Sequence, residues 1–182
     1  MASQRLTDKS AIDTIGSGDL MMLVDVSDTT GSAEGTSVKM DMKHVLQTDK
    51  ISISNAEFLS MRTGAGASDF KTLVTAPGSG FMILPVDITI LVTYAAPTQT
   101  AAINLYVGYD PTTATYYTLQ ARNFMRNLTT NSTFILPFLP AAGGSHSASI
   151  ENQPLVMYSS NNFSGGFSAD VYVTYKIQKV LW

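Results

Sequence analysis

From Phe81 to Tyr94 the chain reads FMILPVDITILVTY. A period of two puts Met82, Leu84, Val86, Ile88, Ile90, Val92 and Tyr94 on one side and Pro85, Asp87, Thr89 and Thr93 on the other, the pattern of a strand with one buried face. A second run repeats it more cleanly. Phe167, Ala169, Val171, Val173, Tyr175 and Ile177 alternate with Ser168, Asp170, Tyr172, Thr174, Lys176 and Gln178. Between these runs lie INLYVGY (103–109), TYYTLQA (115–121), TFILPFL (133–139) and PLVMYSS (154–160). They are separated by segments of turn chemistry, AAPTQT, DPTTA, RNLTTNS, PAAGGSHSA and NNFSGG. Strand after strand with no helical stretch between them predicts a mainly β fold, an antiparallel β-sandwich of jelly-roll type. Pro85 and Pro137 fall inside strand patterns, which predicts an edge or a bulge at each.

Outward from this core the composition changes. Residues 1–71 carry seven Lys/Arg and ten Asp/Glu, whereas residues 72–182 carry four of each. Soluble domains average roughly one charged residue in four, so the sandwich is unusually poor in charge. Such a surface predicts cover by further copies of the chain or a neutral polar partner. The first part is thin in apolar residues. Leu20, Met22, Val24 and Val26 are expected to pair with Val38, Met40 and Met42 across a small-residue loop, Ser27 to Gly35, and Asp41 to cap a short turn from Met42 to Leu46. A two-stranded hairpin is marginal in water by itself. The expected organisation is therefore an N-terminal segment over 1–62 that takes its apolar contacts from another chain, a Gly/Ala/Ser linker over 63–71, and a sandwich over 72–182.

Several classes of chemistry are disfavoured. The chain has no cysteine, which removes thiolate metal sites, disulfides and Cys nucleophiles. His44 and His146 lie far apart in sequence and form no metal-ligand pattern, so no metal and no cofactor is expected. The pair Ser145–His146 sits in a Gly-rich stretch, where adjacent residues do not converge as nucleophile and base. GxSxG, P-loop and HExxH motifs are missing, and the chain reads as a non-enzyme. A net charge of -3 gives no electrostatic reason for a nucleic-acid partner. The stretch MASQRLTDKSAID has no apolar h-region, and no run approaches about 18 apolar residues, so neither a signal peptide nor a membrane insertion is expected. Three sequons, at Asn127, Asn131 and Asn162, then read as chance in an Asn/Ser/Thr-rich chain.

One cluster could carry recognition. Tyr106, Tyr109, Tyr116 and Tyr117 flank the DPTTAT stretch, where rings with hydroxyl edges would stack on neutral glycans or form an interface, together with the loops at 110–115, 140–149 and 160–166. Cross-strand packing inside one subunit is the alternative.

The pattern from Asp19 to Leu46, D-L-x-x-L-V-D-V-S-D-T-T, then a small-residue loop, then G-T-S-V-K-M-D-M-K-H-V-L, resembles the N-terminal module of head-fibre and tail-fibre proteins of tailed bacteriophages. LVTAPGSGFMILPVDITI (73–90) is more weakly similar to the first strands of β-sandwich heads in the same class of virion proteins. The resemblance implies a segment that docks on the particle, with Leu20, Met22, Val24, Val26, Thr36, Val38, Met40 and Leu46 as its anchoring residues. It also implies a projecting head that forms a homotrimer, partners among capsid or tail proteins and on the host surface a glycan, and a place in the virion after synthesis in the host cytoplasm. The chain departs from long tail fibres in having no shaft repeats between module and head, which favours a capsid position.

Overall fold

The computed structural model describes residues 20–25, 36–41, 45–62, 69–109, 117–137 and 150–180. They divide between two compact units, Met1–Val45 and Leu46–Trp182. The first contains an antiparallel hairpin of β1 (Leu20–Asp25) and β2 (Thr36–Asp41). The second contains β3 (Gln47–Ile53), α1 (Asn55–Ser60), β4 (Lys71–Val74), β5 (Phe81–Ala95), β6 (Leu105–Gly108), β7 (Tyr117–Ala121), β8 (Ser132–Pro137), β9 (Leu155–Ser159) and β10 (Gly166–Lys179).

The eight strands of the larger unit form two four-stranded sheets, ordered β3-β10-β5-β8 and β4-β9-β6-β7. Every pairing is antiparallel. The first of the eight pairs with the last, the second with the seventh, the third with the sixth and the fourth with the fifth. This nested order defines a jelly roll, the expected fold class. The core draws on both sheets. From β10 it takes Phe167, Ala169, Val171, Val173 and Tyr175, and from β5 Ile83, Ile88, Ile90 and Val92, while β6 and β9 are buried at every position. At one side four rings close the core: Phe58 of α1, Phe124, Phe163 and Phe167 lie with centroids 4.8 to 6.1 Å apart.

β5 departs from the simple alternation. Tyr175 lies opposite Pro85 and Thr174 opposite Asp87, so Val86 has no partner on β10 and forms a bulge. One extra residue exchanges the faces. Beyond the bulge Ile88, Ile90 and Val92 are buried as expected, but before it Ile83 takes the core position and Met82 and Leu84 are only half-buried. Val86, expected in the core, is 44% exposed. Both prolines sit where the missing N–H is harmless: Pro85 flanks the bulge, and Pro137 ends β8, the edge strand.

Two further expectations are corrected. The expected division after residue 62 is replaced by one between Val45 and Leu46, because residues 47–62 belong to the sandwich. β3 pairs with β10 along its whole length, and Phe58 and Met61 are buried in the core. Of the expected linker, residues 63–68 lie outside the described residues, while Lys71 already starts β4. In the hairpin the register is offset by one residue from the expected pairing. Leu20, Met22 and Val24 stand opposite Asp41, Lys39 and Ser37, whereas Val38 and Met40 stand opposite Leu23 and Met21. A shift of one residue exchanges the two faces of a strand pair. Val26, the Ser27–Gly35 loop and most of the Met42–Leu46 turn lie outside the described residues.

Candidate functional site

The tyrosine cluster is not a surface platform as a whole. Tyr106, on β6, stands opposite Tyr158 of β9 with ring centroids 5.5 Å apart, and both are buried. Tyr109 is buried as well. Its hydroxyl donates to the Ile83 carbonyl at 2.7 Å, and burial raises its pKa above the ordinary phenol value. These two rings therefore cannot stack on a glycan; they belong to the packing alternative. Both faces of β6 are covered, which its own LYVG sequence does not announce. Tyr117 starts β7, and Tyr116 with the 110–115 loop lies outside the described residues, as does the 140–149 loop.

The third expected recognition loop, 160–166, is tied into the sandwich. Gln99, 1% exposed, accepts from the backbone N–H groups of Ser164 and Gly165, each at 2.8 Å, and donates through Nε2 to the Ala101 carbonyl at 3.0 Å. Asn162 Nδ2 donates to the Leu59 carbonyl at 2.9 Å, and Phe163 points its ring into the aromatic cluster. A loop so held presents its exposed Ser160, Asn161 and Asn162 rather than an adaptable pocket.

The outer face of the β3-β10-β5-β8 sheet offers a second candidate surface. Its rows run Ser52–Asp170–Leu91–Thr133, Lys50–Tyr172–Thr89–Ile135 and Thr48–Thr174–Asp87–Pro137. The β3 half is polar and internally satisfied. Lys50 Nζ lies 2.9 Å from Asp170 Oδ2 and 5.9 Å from the Tyr172 ring centre, Ser52 Oγ donates to Asp170 Oδ1 at 2.7 Å, and the Thr48 and Thr174 hydroxyls are 3.1 Å apart. The hydrogen bond to Asp170 raises the Lys50 pKa, and those from Ser52 and then Lys50 lower that of Asp170. The β8 half differs. Val86, Leu91 and Ile135, on β5 and β8, are three of the six large apolar side chains exposed among the described residues, and Ile135 reaches 70%. Among the anchoring residues the resemblance implies, Leu20, Met22, Val24, Thr36, Val38 and Met40 lie in β1 and β2, and Leu46 is 57% exposed at the start of the sandwich unit.

Among the described residues no three His, Cys, Asp or Glu side chains gather as a metal site, and no helix is long and apolar enough to cross a membrane. Sequence reasoning missed the helix α1. Its signal is plain in retrospect: Ser54-Asn-Ala-Glu57 is a capping box, with Ser54 Oγ accepting from the Glu57 N–H and Glu57 Oε2 accepting from the Ser54 N–H at 2.7 Å.

No family model matches the sequence, and no curated protein matches it. Solved structures resembling the chain include one from the cyanophage Pam1 capsid asymmetric unit, at 12% identity and a TM-score of 0.39 over 96% of each chain. Others come from the native virion of Kashmir bee virus at acidic pH, at 15% identity and a TM-score of 0.29 over 95% of this chain and 85% of that one, and from rhinovirus-B5, at 9% and 0.30 over 100% and 85%. Likenesses this distant leave function to be argued from the chain itself.

Proposed function

We propose that the chain is a structural, non-enzymatic protein of a bacteriophage virion, a short homotrimeric fibre or decoration protein displayed on the capsid and contributing to host-surface attachment. One observation carries this reading. The compact units part between Val45 and Leu46, and the stretch that resembles the docking module of phage fibres runs from Asp19 to Leu46, so the resemblance ends within one residue of the first unit's end. A small unit with a hairpin, followed by an independently cored jelly roll, suits an anchor and a displayed head. The fold is compatible by analogy only, since jelly rolls serve as viral coat and lectin domains among others. The absence of shaft repeats between hairpin and sandwich favours the capsid over the tail.

The alternative is a tail-associated receptor-binding protein whose sandwich binds host glycans. It loses Tyr106 and Tyr109 to the core and keeps Tyr116, Tyr117 and the exposed amides of the 160–166 loop.

The test of the anchor uses particles that lack the protein, mixed with the full chain or with a chain beginning at Leu46. Only the full chain is expected to attach, and equal attachment of the shorter one would remove the anchor assignment. Imaging the loaded particles places the protein on capsid or tail. Binding of the sandwich to a glycan array that is abolished by Tyr117→Ala would favour the alternative.

A further inference from the structure

The two edges of the β3-β10-β5-β8 sheet are built on opposite rules. β3 exposes Asp49 and Lys50, charged side chains of the kind that keep a sheet edge from pairing with a stranger. β8 has no charge anywhere from Asn131 to Pro137 and carries Ile135 in the open. Its backbone can be assigned as well. The Tyr94 N–H donates to Asn131 Oδ1 at 2.9 Å, so the even-numbered residues of β5 turn their amides toward β8. Their register partners Ser132, Phe134 and Leu136 answer them. Thr133 and Ile135 then direct both N–H and C=O away from β5, and Pro137, next in that series, has no N–H to leave unmatched.

We infer that the edge of β8, which has no strand beside it among the described residues, pairs antiparallel with β8 of a second copy of the chain, about a two-fold axis through Phe134. In that register Thr133 of each copy exchanges both of its hydrogen bonds with Ile135 of the other, and the two four-stranded sheets become one of eight strands. The second copy is favoured over a foreign strand because the edge fits itself. A two-fold contact sets residue i of one strand against residue j of the other and j against i, so a charge near the axis would lie close to its own copy, and β8 carries none. On the outer face the contact sets Ile135 against Thr133 of the partner strand, diagonal to the partner's own Ile135. The Lys50–Asp170 pairs stay at the outer margins of the joined sheet. This contact is two-fold, hence distinct from any three-fold contact, and it does not rest on the virion reading.

The experiment is sedimentation of the full chain at micromolar concentration beside Ile135→Lys, with Thr48→Lys on the opposite edge as control. The Ile135→Lys species is expected at half the mass of the wild-type species, whether that halving takes a dimer to a monomer or a hexamer to a trimer, with Thr48→Lys unchanged. Equal masses for wild type and Ile135→Lys overturn the proposal. Should Ile135→Lys fail to fold, amide exchange in the wild type decides. Slow exchange at Thr133 and Ile135 that becomes fast on dilution supports the contact. Fast exchange at all concentrations, or slow exchange independent of concentration, overturns it.

Discussion

Glu57 joins three tasks in one carboxylate: it completes the capping box of α1, accepts from the Ser54 hydroxyl at 2.7 Å, and pairs with Lys71 of β4. The hydrogen bond from Lys71, then those from Ser54, lower its pKa from 4.5 to about 2. A folded-state pKa below the unfolded one means a contribution to stability that is complete above pH 4.5 and disappears as pH falls to about 2. With its side chain 40% exposed, solvent screens much of the ion pair, and Glu57→Gln should cost about 0.5 to 1 kcal/mol at neutral pH. In urea titrations the gap between wild type and Glu57→Gln should close between pH 5 and pH 2. Gln99 is the stronger case, because it is buried together with the Gly165 amide it holds. Replacing it with leucine keeps the volume but strands the Gly165 amide and removes the partner of the half-buried Ser164 amide, at a cost of about 1 to 3 kcal/mol. Gly166, next along, leaves no room for a side chain: an added Cβ would stand 2.3 Å from the Ala96 carbonyl oxygen. Equilibrium unfolding of Gln99→Leu and Gly166→Ala measures both, and a loss under about 1 kcal/mol in either would show that this corner relaxes freely.

The bulge at Val86 decides which residues of β5 reach the core, and deletion is its sharpest test. Without Val86 the ladder to β10 would run on unbroken, and Phe81–Pro85 would turn over. Ile83, fully buried, would leave the core, and Met82 and Leu84 would replace it. Loss of a buried isoleucine with misfit around it should cost at least about 4 kcal/mol, read as loss of the folding transition in a thermal melt, whereas Val86→Thr should be nearly neutral. The same feature shows where sequence reading succeeds. Alternation is legible wherever the ladder is regular, along β10 and from Ile88 to Val92, because one face meets the core at every second residue. Pro85 signalled an interruption but not the phase on its far side. β3 was illegible for a different reason: QTDKISI has two apolar residues in seven, as a charged edge strand does. The charge-rich composition before residue 72 therefore reflects edge protection as well as a unit boundary, and reading it as a boundary alone moved the division 17 residues too far, from 45 to 62.

The nested pairing of the jelly roll joins residues more than a hundred apart, such as Ser52 and Asp170. Nothing local in either strand encodes that partnership, which is why the fold class could be read and the strand order could not. The burial of Tyr106 and Tyr109 was hidden for the same cause, since cover over both faces of β6 and over the residue that follows it depends on segments remote in sequence. The corrected boundary gives a clear expectation. A chain of residues 46–182 should melt cooperatively within a few degrees of the full chain, while residues 63–182, lacking β3, Phe58 and Met61, should not fold; circular dichroism separates them. Should the longer fragment also fail, the two units are not independent in stability. The outermost pair has a mechanical consequence. β3 begins opposite Tyr175 and β10 ends at Lys179, so polypeptide reaches Gln47 and leaves Lys179 at one end of the same antiparallel pair. Tension applied between Leu46 and Val180 would load the hydrogen bonds between β3 and β10 one after another, from that end inward. β3 should then peel away at low force while β10 stays gripped by β5, and an optical-tweezers trace would record that yielding as a small extension before the sandwich gives way.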